Sequence, residues 1–315
     1  MKFAKFHGYG NDYIVIEAQR LAATWPTLAT GASHINVSNA SNVGVSEVGV
    51  SDDETGALSD FVRRICDRHY GAGADGVALV SRMAEAEAAE ADFRVRIFNP
   101  DGSEAAMSGN GTRCAAAYLH FEKQWSQEEL QLATRAGVKL YRLRGVLGEG
   151  RFRFEAEIGK PLFETASIPM LTGEPLPAVR NYPLELDGGE TVAVTALQMC
   201  NPNCCIFVDD FASVDWRRIG RTVETHAQFP ERTNVEFIRV RDRQAIEVRV
   251  WERGVGETLS SGTGACASAV AAAFNGLTDR RVQVQMPGGL LEVHWRDDGE
   301  ALLTGDAEFI YRGEL

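Results

Sequence analysis

The feature that most restricts what this chain can fold into is a repeat of itself. Phe93 to Ala117 lies over Ile246 to Val270 without a gap. Phe93-Arg-Val-Arg-Ile-Phe98 falls on Ile246-Glu-Val-Arg-Val-Trp251, Glu104 on Glu257, and Ser108-Gly-Asn-Gly111 on Ser261-Gly-Thr-Gly264. The first pair alternates apolar and polar residues, the pattern of half-buried strands. The last pair runs into Cys114-Ala-Ala-Ala-Tyr-Leu119 and Ala265-Cys-Ala-Ser-Ala-Val270, small-residue stretches without proline that suit tightly packed helices. Each half therefore reads strand, turn, Ser-Gly-x-Gly, buried helix. Two unrelated glycine-rich turns would match only at the turn, whereas here the strand before and the helix after match too.

A chain of 315 residues is long for one ordinary domain and comfortable for two. The repeat divides it into residues 1–148 and 149–303, with the crossing near Gly145 to Gly150. Tyr13 to Ile16 and Val77 to Val80 read as strands and Asp60 to His69 as a helix. Residues 27–57, rich in Ser, Asn, Gly, Ala and Val with no period, read as a flexible surface insertion. Met83 to Ala91 reads as a short exposed helix or a loop.

With 44% hydrophobic and 24% charged residues the chain has a globular balance, and a net charge of −12 excludes the basic stripe of a nucleic-acid binder. The start, broken by Lys5, His7 and glycines, has no signal-peptide core. The longest near-apolar run, Ala265 to Phe274, is far short of the roughly 18 residues that span a bilayer. No membrane partner and a cytoplasmic location follow. Six cysteines form no C-x-x-C pair and no histidines cluster beside them, which argues against a metal. Cys66, Cys114 and Cys266 read as buried structural thiols.

A glycine-rich turn opening a helix points backbone N–H groups outward at the positive end of the helix dipole, and so binds an anion without a charged side chain. Two such turns, one per domain, suit a substrate carboxylate held from opposite sides, with Ser108 and Ser261 flanking the ligand. That geometry matches inversion of the carbon beside a carboxylate, where one group removes a proton from one face and another returns one to the other.

The chain resembles the diaminopimelate epimerase family of cofactor-independent amino-acid racemases and epimerases. The resemblance is carried by Phe6-His-Gly-Tyr-Gly-Asn-Asp12, Cys66-Asp-Arg-His-Tyr-Gly-Ala-Gly-Ala-Asp-Gly76, Phe98-Asn-Pro-Asp-Gly-Ser-Glu104 and Ser108-Gly-Asn-Gly-Thr-Arg-Cys114. It continues through Asn201-Pro-Asn203, Arg232-Thr-Asn-Val-Glu-Phe237, Trp251-Glu-Arg-Gly254, Ser261-Gly-Thr-Gly-Ala-Cys266 and Leu303-Thr-Gly305. It implies an α/β (α+β) fold of two pseudo-symmetric domains, each a curved β-sheet around a central helix, with residues 304–315 returning to the first domain. It implies no cofactor, a small diamino acid as substrate in lysine and peptidoglycan precursor chemistry, and a possible homodimer. Asn11, Asn99, Asn201, Asn234 and Arg253 are the implied contacts of the distal end of the substrate. The backbone of Gly109, Asn110, Gly262 and Thr263 is the implied carboxylate cradle, and Glu252 the implied partner of the reacting amino group.

The chain departs from the family at its centre. The two catalytic cysteines are replaced by Ser108 and Ser261, the histidine that assists the first by Asn203, and a tail proline by Asp306. A free thiol ionises near 8.5 and an alcohol near that of water, about 15.7. The gap of roughly seven pH units is worth about 9–10 kcal/mol, and a helix N-terminus with favourable neighbours supplies at most about five of those units. Two-base epimerisation is therefore expected to be weak or absent. Engineered substrate trapping, natural retirement from catalysis and a different reaction on the same fold all fit the sequence, as does an isomerase using Glu252 as its single base.

Overall fold

The computed structural model describes residues 1–24, 52–83 and 90–315. Most of the segment read as an insertion, residues 27–51, and the middle of the Met83 to Ala91 stretch lie outside the described residues. The chain forms two compact units. The first comprises Met1–Gly8, Asp12–Val138 and Glu308–Leu315, the second Tyr9–Asn11 and Lys139–Ala307.

In the first unit the order is β1 (Lys2–Gly8), β2 (Asn11–Glu17), α1 (Ala18–Thr24), α2 (Asp52–Cys66), β3 (Gly76–Arg82), β4 (Phe93–Phe98), β5 (Glu104–Ala105), α3 (Gly109–Phe121) and β6 (Glu129–Thr134). The second has β7 (Gly137–Gly148), β8 (Arg151–Gly159), β9 (Val179–Glu185), β10 (Thr191–Gln198), β11 (Pro202–Phe207), α4 (Trp216–Glu224), β12 (Asn234–Asp242), β13 (Ala245–Glu252), β14 (Gly256–Thr258), α5 (Gly262–Phe274), β15 (Arg281–Met286), β16 (Gly289–Trp295) and β17 (Ala301–Glu314). From Glu308 the last strand belongs to the first unit, where it lies antiparallel to β1 with Phe3 opposite Gly313.

The pairing rules of the two units are the same. β2 runs parallel to β3, β3 antiparallel to β4, β4 antiparallel to β5 and parallel to β6. Likewise β11 runs parallel to β12, β12 antiparallel to β13, β13 antiparallel to β14 and parallel to β15. The register repeats as well: Phe98 faces Glu104 as Trp251 faces Glu257. The sequence repeat is thus a repeat of strand pairing and not only of turns.

Each unit wraps its strands around one helix. α5 packs against β10, β11, β12, β13, β15 and β16, which leaves it no solvent stripe. A helix apolar on every side belongs inside a core, and its run of alanines lets the surrounding backbone approach closely. α3 is covered by β1, β3 and β4 in the same manner. Gly111 shows how close: a Cβ there would sit 2.8 Å from the Tyr13 ring and 2.9 Å from Ile97. A second core in each unit lies under the outer helix. α2 covers Ile14, Ile16, Val77 and Leu79, and α4 covers Leu184, Val194, Val235 and Phe237.

One helix boundary differs from expectation. The helix expected over Asp60 to His69 runs from Asp52 to Cys66. It stops early because the Asp67 side chain accepts from the His69 and Tyr70 N–H groups at 2.7 and 2.8 Å, diverting the amides that would have continued it.

Candidate active site

Ser108 and Ser261 are the N-cap residues of α3 and α5, and their backbones are nearly superimposable: φ −133°, ψ 125° and φ −132°, ψ 124°. Each hydroxyl accepts from the third residue of its helix, Gly111 N at 3.1 Å and Gly264 N at 3.2 Å. Each carbonyl accepts from the fourth, Thr112 N at 2.9 Å and Ala265 N at 3.0 Å. Among the described residues the N–H groups of Gly109, Gly262 and Thr263 take no protein partner. They form outward-facing donors at the positive helix end, suited to a carboxylate.

The surroundings differ between the turns. Around Ser108 the Tyr13 hydroxyl donates to the serine oxygen at 2.9 Å. The Asn110 side chain is buried and hydrogen-bonded to the guanidinium of Arg113. Asn99 is held in the turn after β4, donating to Ser103 Oγ at 3.0 Å. Around Ser261 the neighbours are acids. Burial pushes the Glu252 carboxyl above its ordinary range, and the Ser261 and Thr258 hydroxyls beside it hold that rise back. Behind them Glu236 is fully buried, and burial, then the charge of Glu252, pushes its carboxyl well up.

The remaining candidates of the second unit form one chain of contacts. Asn203, fully buried, donates to the Asn201 carbonyl at 2.6 Å and side-chain oxygen at 3.1 Å, and accepts from Asn234 at 3.3 Å. Asn234 in turn accepts from the Arg253 N–H at 2.9 Å. The Arg253 side chain is exposed and donates to the Glu231 carbonyl at 3.0 Å. Glu224, at the end of α4, fixes the segment that carries Glu252 and Arg253. Its carboxylate accepts from Trp251 Nε1 and from Gly254 N, both at 2.8 Å. Asn11, also in this unit, opens β2.

Tyr13, Glu224, Glu236 and Thr258 escaped the reading of the sequence. Glu236 carried a usable signal: a lone acid in the otherwise apolar strand Asn234-Val-Glu-Phe-Ile238. The buried thiols offer no substitute base. Cys66, Cys114 and Cys266 are buried as expected, and burial pushes the Cys66 and Cys114 thiols up to about 12. Among the described residues no three His, Cys, Asp or Glu side chains converge as a metal-binding group, and no helix is long and apolar enough to cross a membrane.

A family model for diaminopimelate epimerase matches residues 42–154 and 195–310, taking in both serine turns. The diaminopimelate epimerase of Desulfitobacterium hafniense is 37% identical over 316 residues, covering 100% of this chain and 98% of that protein. The chain belongs to the diaminopimelate epimerase family. The family's enzyme from Moorella thermoacetica is 39% identical over 318 residues, with 100% and 99% covered. Among solved structures, a hydroxyproline epimerase from Agrobacterium vitis covers 99% of this chain and 91% of its own at a TM-score of 0.62 and 14% identity, and so shares the fold. The family is one of isomerases, which makes the alcohols at Ser108 and Ser261 the chemical question.

Proposed function

We propose that this chain is an epimerase-family protein that binds LL- or meso-diaminopimelate, or a diamino acid of the same reach, while its two-base epimerisation is disabled. The observation that carries the reading is the identity of the two N-cap residues. Both helices keep the cap, the glycines and the outward N–H donors that suit a substrate carboxylate, and both carry an alcohol where the reaction needs an ionisable acid–base. The binding kit is intact: Asn11, Asn99, Asn201, Asn234 and Arg253 for the distal amino-acid end, Glu252 for the reacting amino group, and the backbone of Gly109, Asn110, Gly262 and Thr263 for the carboxylate. Asn203 replaces an assisting histidine with an amide whose hydrogen bonds go to Asn201 and Asn234. A substrate trap would need only the serines, so the added change at Asn203 favours a natural divergence.

Calorimetry with LL- and meso-diaminopimelate tests binding; heat with either supports the reading, and none with both removes the substrate. Chirality-resolved chromatography of the same compounds tests turnover. The unmodified chain is expected to interconvert them at least about a hundredfold more slowly than Ser108→Cys/Ser261→Cys, following the contribution of a positioned acid–base.

A further inference from the structure

Tyr9 occupies a position where a tyrosine is poorly suited to the backbone. β1 and β2 pair with each other, and only Tyr9 and Gly10 join them. Both residues have positive φ, 57° and 88°, as a two-residue hairpin turn of this kind requires. Asparagine or aspartate followed by glycine fills such a turn readily. A bulky aromatic in the left-handed region persists only where its surroundings hold it there.

The holds lie in the second unit, to which Tyr9–Asn11 belongs. The Tyr9 ring rests on Gly289, where a Cβ would sit 2.8 Å from Tyr9 Cε1, and a Cβ on Gly288 would sit 3.1 Å from Tyr9 Cβ. Side chains at these glycines would take the place of the ring. Gly288 N donates to the Leu259 carbonyl at 2.8 Å, and Leu259 Cδ1 lies 3.2 Å from the point a Cβ on Gly10 would occupy. The turn is thus seated on the segment that leads into Ser261. The phenol oxygen accepts from Asp306 N at 2.8 Å. Asp306 is itself buried and fixed, its carboxylate accepting from Arg151 at 2.8 Å and from Arg153 at 2.7 and 3.2 Å. The family's proline at this position would have no N–H to give, so this anchor belongs to this chain.

Asn11 follows Gly10 directly. In so short a turn the dihedral angles of the two linking residues set where the next side chain points. Resting on the diamino-acid reading above, we infer that Tyr9 is a positioning residue for the distal end of the substrate. Its ring and phenol, gripped by Gly288, Gly289 and the Asp306 N–H, lock the turn in the form that presents Asn11 to the distal amino-acid group. Tyr9 acts through Asn11 rather than on the substrate.

The test is calorimetry of the full chain with LL- and meso-diaminopimelate. Tyr9→Phe keeps the ring on its glycines and removes only the phenol oxygen; binding is expected to weaken about tenfold, the worth of one buried hydrogen bond. In an Asn11→Ala background the same change is expected to add no further loss, because the two residues act as one. Asp306→Ala and Asp306→Pro lose the same carboxylate but only the second loses the N–H, so the proline form is expected to bind about tenfold more weakly than the alanine form. Undiminished binding in Tyr9→Phe overturns the inference, as does equal binding by the two Asp306 variants. An equal loss with and without Asn11 also overturns it, since that is the behaviour of a tyrosine that only supports the fold. If the unmodified chain binds neither compound, the diamino-acid reading itself fails and takes this inference with it.

Discussion

At the scale of single residues, the second unit contains a fully buried acid, Glu236. Glu236 lies between β11 and β13, with Cys205 Sγ 3.8 Å from its second oxygen. Its carboxyl is raised in the folded state, chiefly by burial and then by Glu252. Above the ordinary glutamate value the unfolded chain releases a proton that the folded chain retains. The stability Glu236 contributes is therefore full at low pH and falls as pH rises toward its folded pKa, by about 1.36 kcal/mol per pH unit. Glu236→Gln removes that dependence. Its thermal midpoint relative to the unmodified chain is expected to climb between pH 4.5 and pH 8; a constant difference across that range would mean that Glu236 is ionised in the fold. No local pattern in the sequence discloses this acid's neighbours, because Cys205, Val250 and Gly264 come to it through strand pairing and helix packing from far along the chain. The two N-caps were legible for the opposite reason. A cap, its glycines and the helix that follows are contiguous, so their chemistry is written within a few residues.

At the scale of elements, the Ser108 turn is held by a close approach and the Trp251 to Gly254 segment by a clamp. The close approach is Gly111 against Tyr13 and Ile97. Gly111→Ala places a methyl 2.8 Å from the Tyr13 ring, so something must move. Overpacking of this kind costs about 1–3 kcal/mol. Chemical denaturation is expected to show a loss in that range, with the Tyr13–Ser108 hydrogen bond displaced; unchanged stability would contradict the tight contact. The clamp is Glu224, whose two oxygens accept from Trp251 Nε1 and Gly254 N. In Glu224→Gln one oxygen becomes a donor and faces a donor, at a cost of roughly 1–3 kcal/mol. Calorimetry should then show weaker diaminopimelate binding, because Glu252 and Arg253 lie between the two clamped points. Unaltered affinity would show that the segment holds its shape without Glu224. The elements themselves were legible where periodicity was strong, as in β4 and β13. The start of α2 was not, since Asp52 to Ser59 carries the Ser, Asp and Gly composition of a loop and forms helix in the fold.

At the scale of the whole molecule, a net charge of −12 means that acid titration removes many negative charges, and Asp12 is one that is tied into the fold. Burial alone would raise its carboxyl; hydrogen bonds from Arg68 and Lys5 and the Asp75 contact outweigh it and bring it down to about 2 from 3.8. Lys5 Nζ lies 2.7 Å away and Arg68 2.9 Å. A depressed carboxylate contributes stability above its unfolded value and loses it as pH falls through its folded value. The difference, about 2 kcal/mol, should disappear between pH 4 and pH 2. An Asp12→Asn variant is expected to be less stable than the unmodified chain at pH 6 and to approach it near pH 2, as followed by denaturant titration; a gap that stays constant would refute the assignment. The proposed function needs the fold and binding kit to be kept while the acid–base pair is lost. The most direct measurement is the rate at which the unmodified chain converts LL- into meso-diaminopimelate, set beside Ser108→Cys/Ser261→Cys. Conversion is expected to be at least about a hundredfold faster in the double cysteine form; comparable rates in the two proteins would contradict the loss of the acid–base pair.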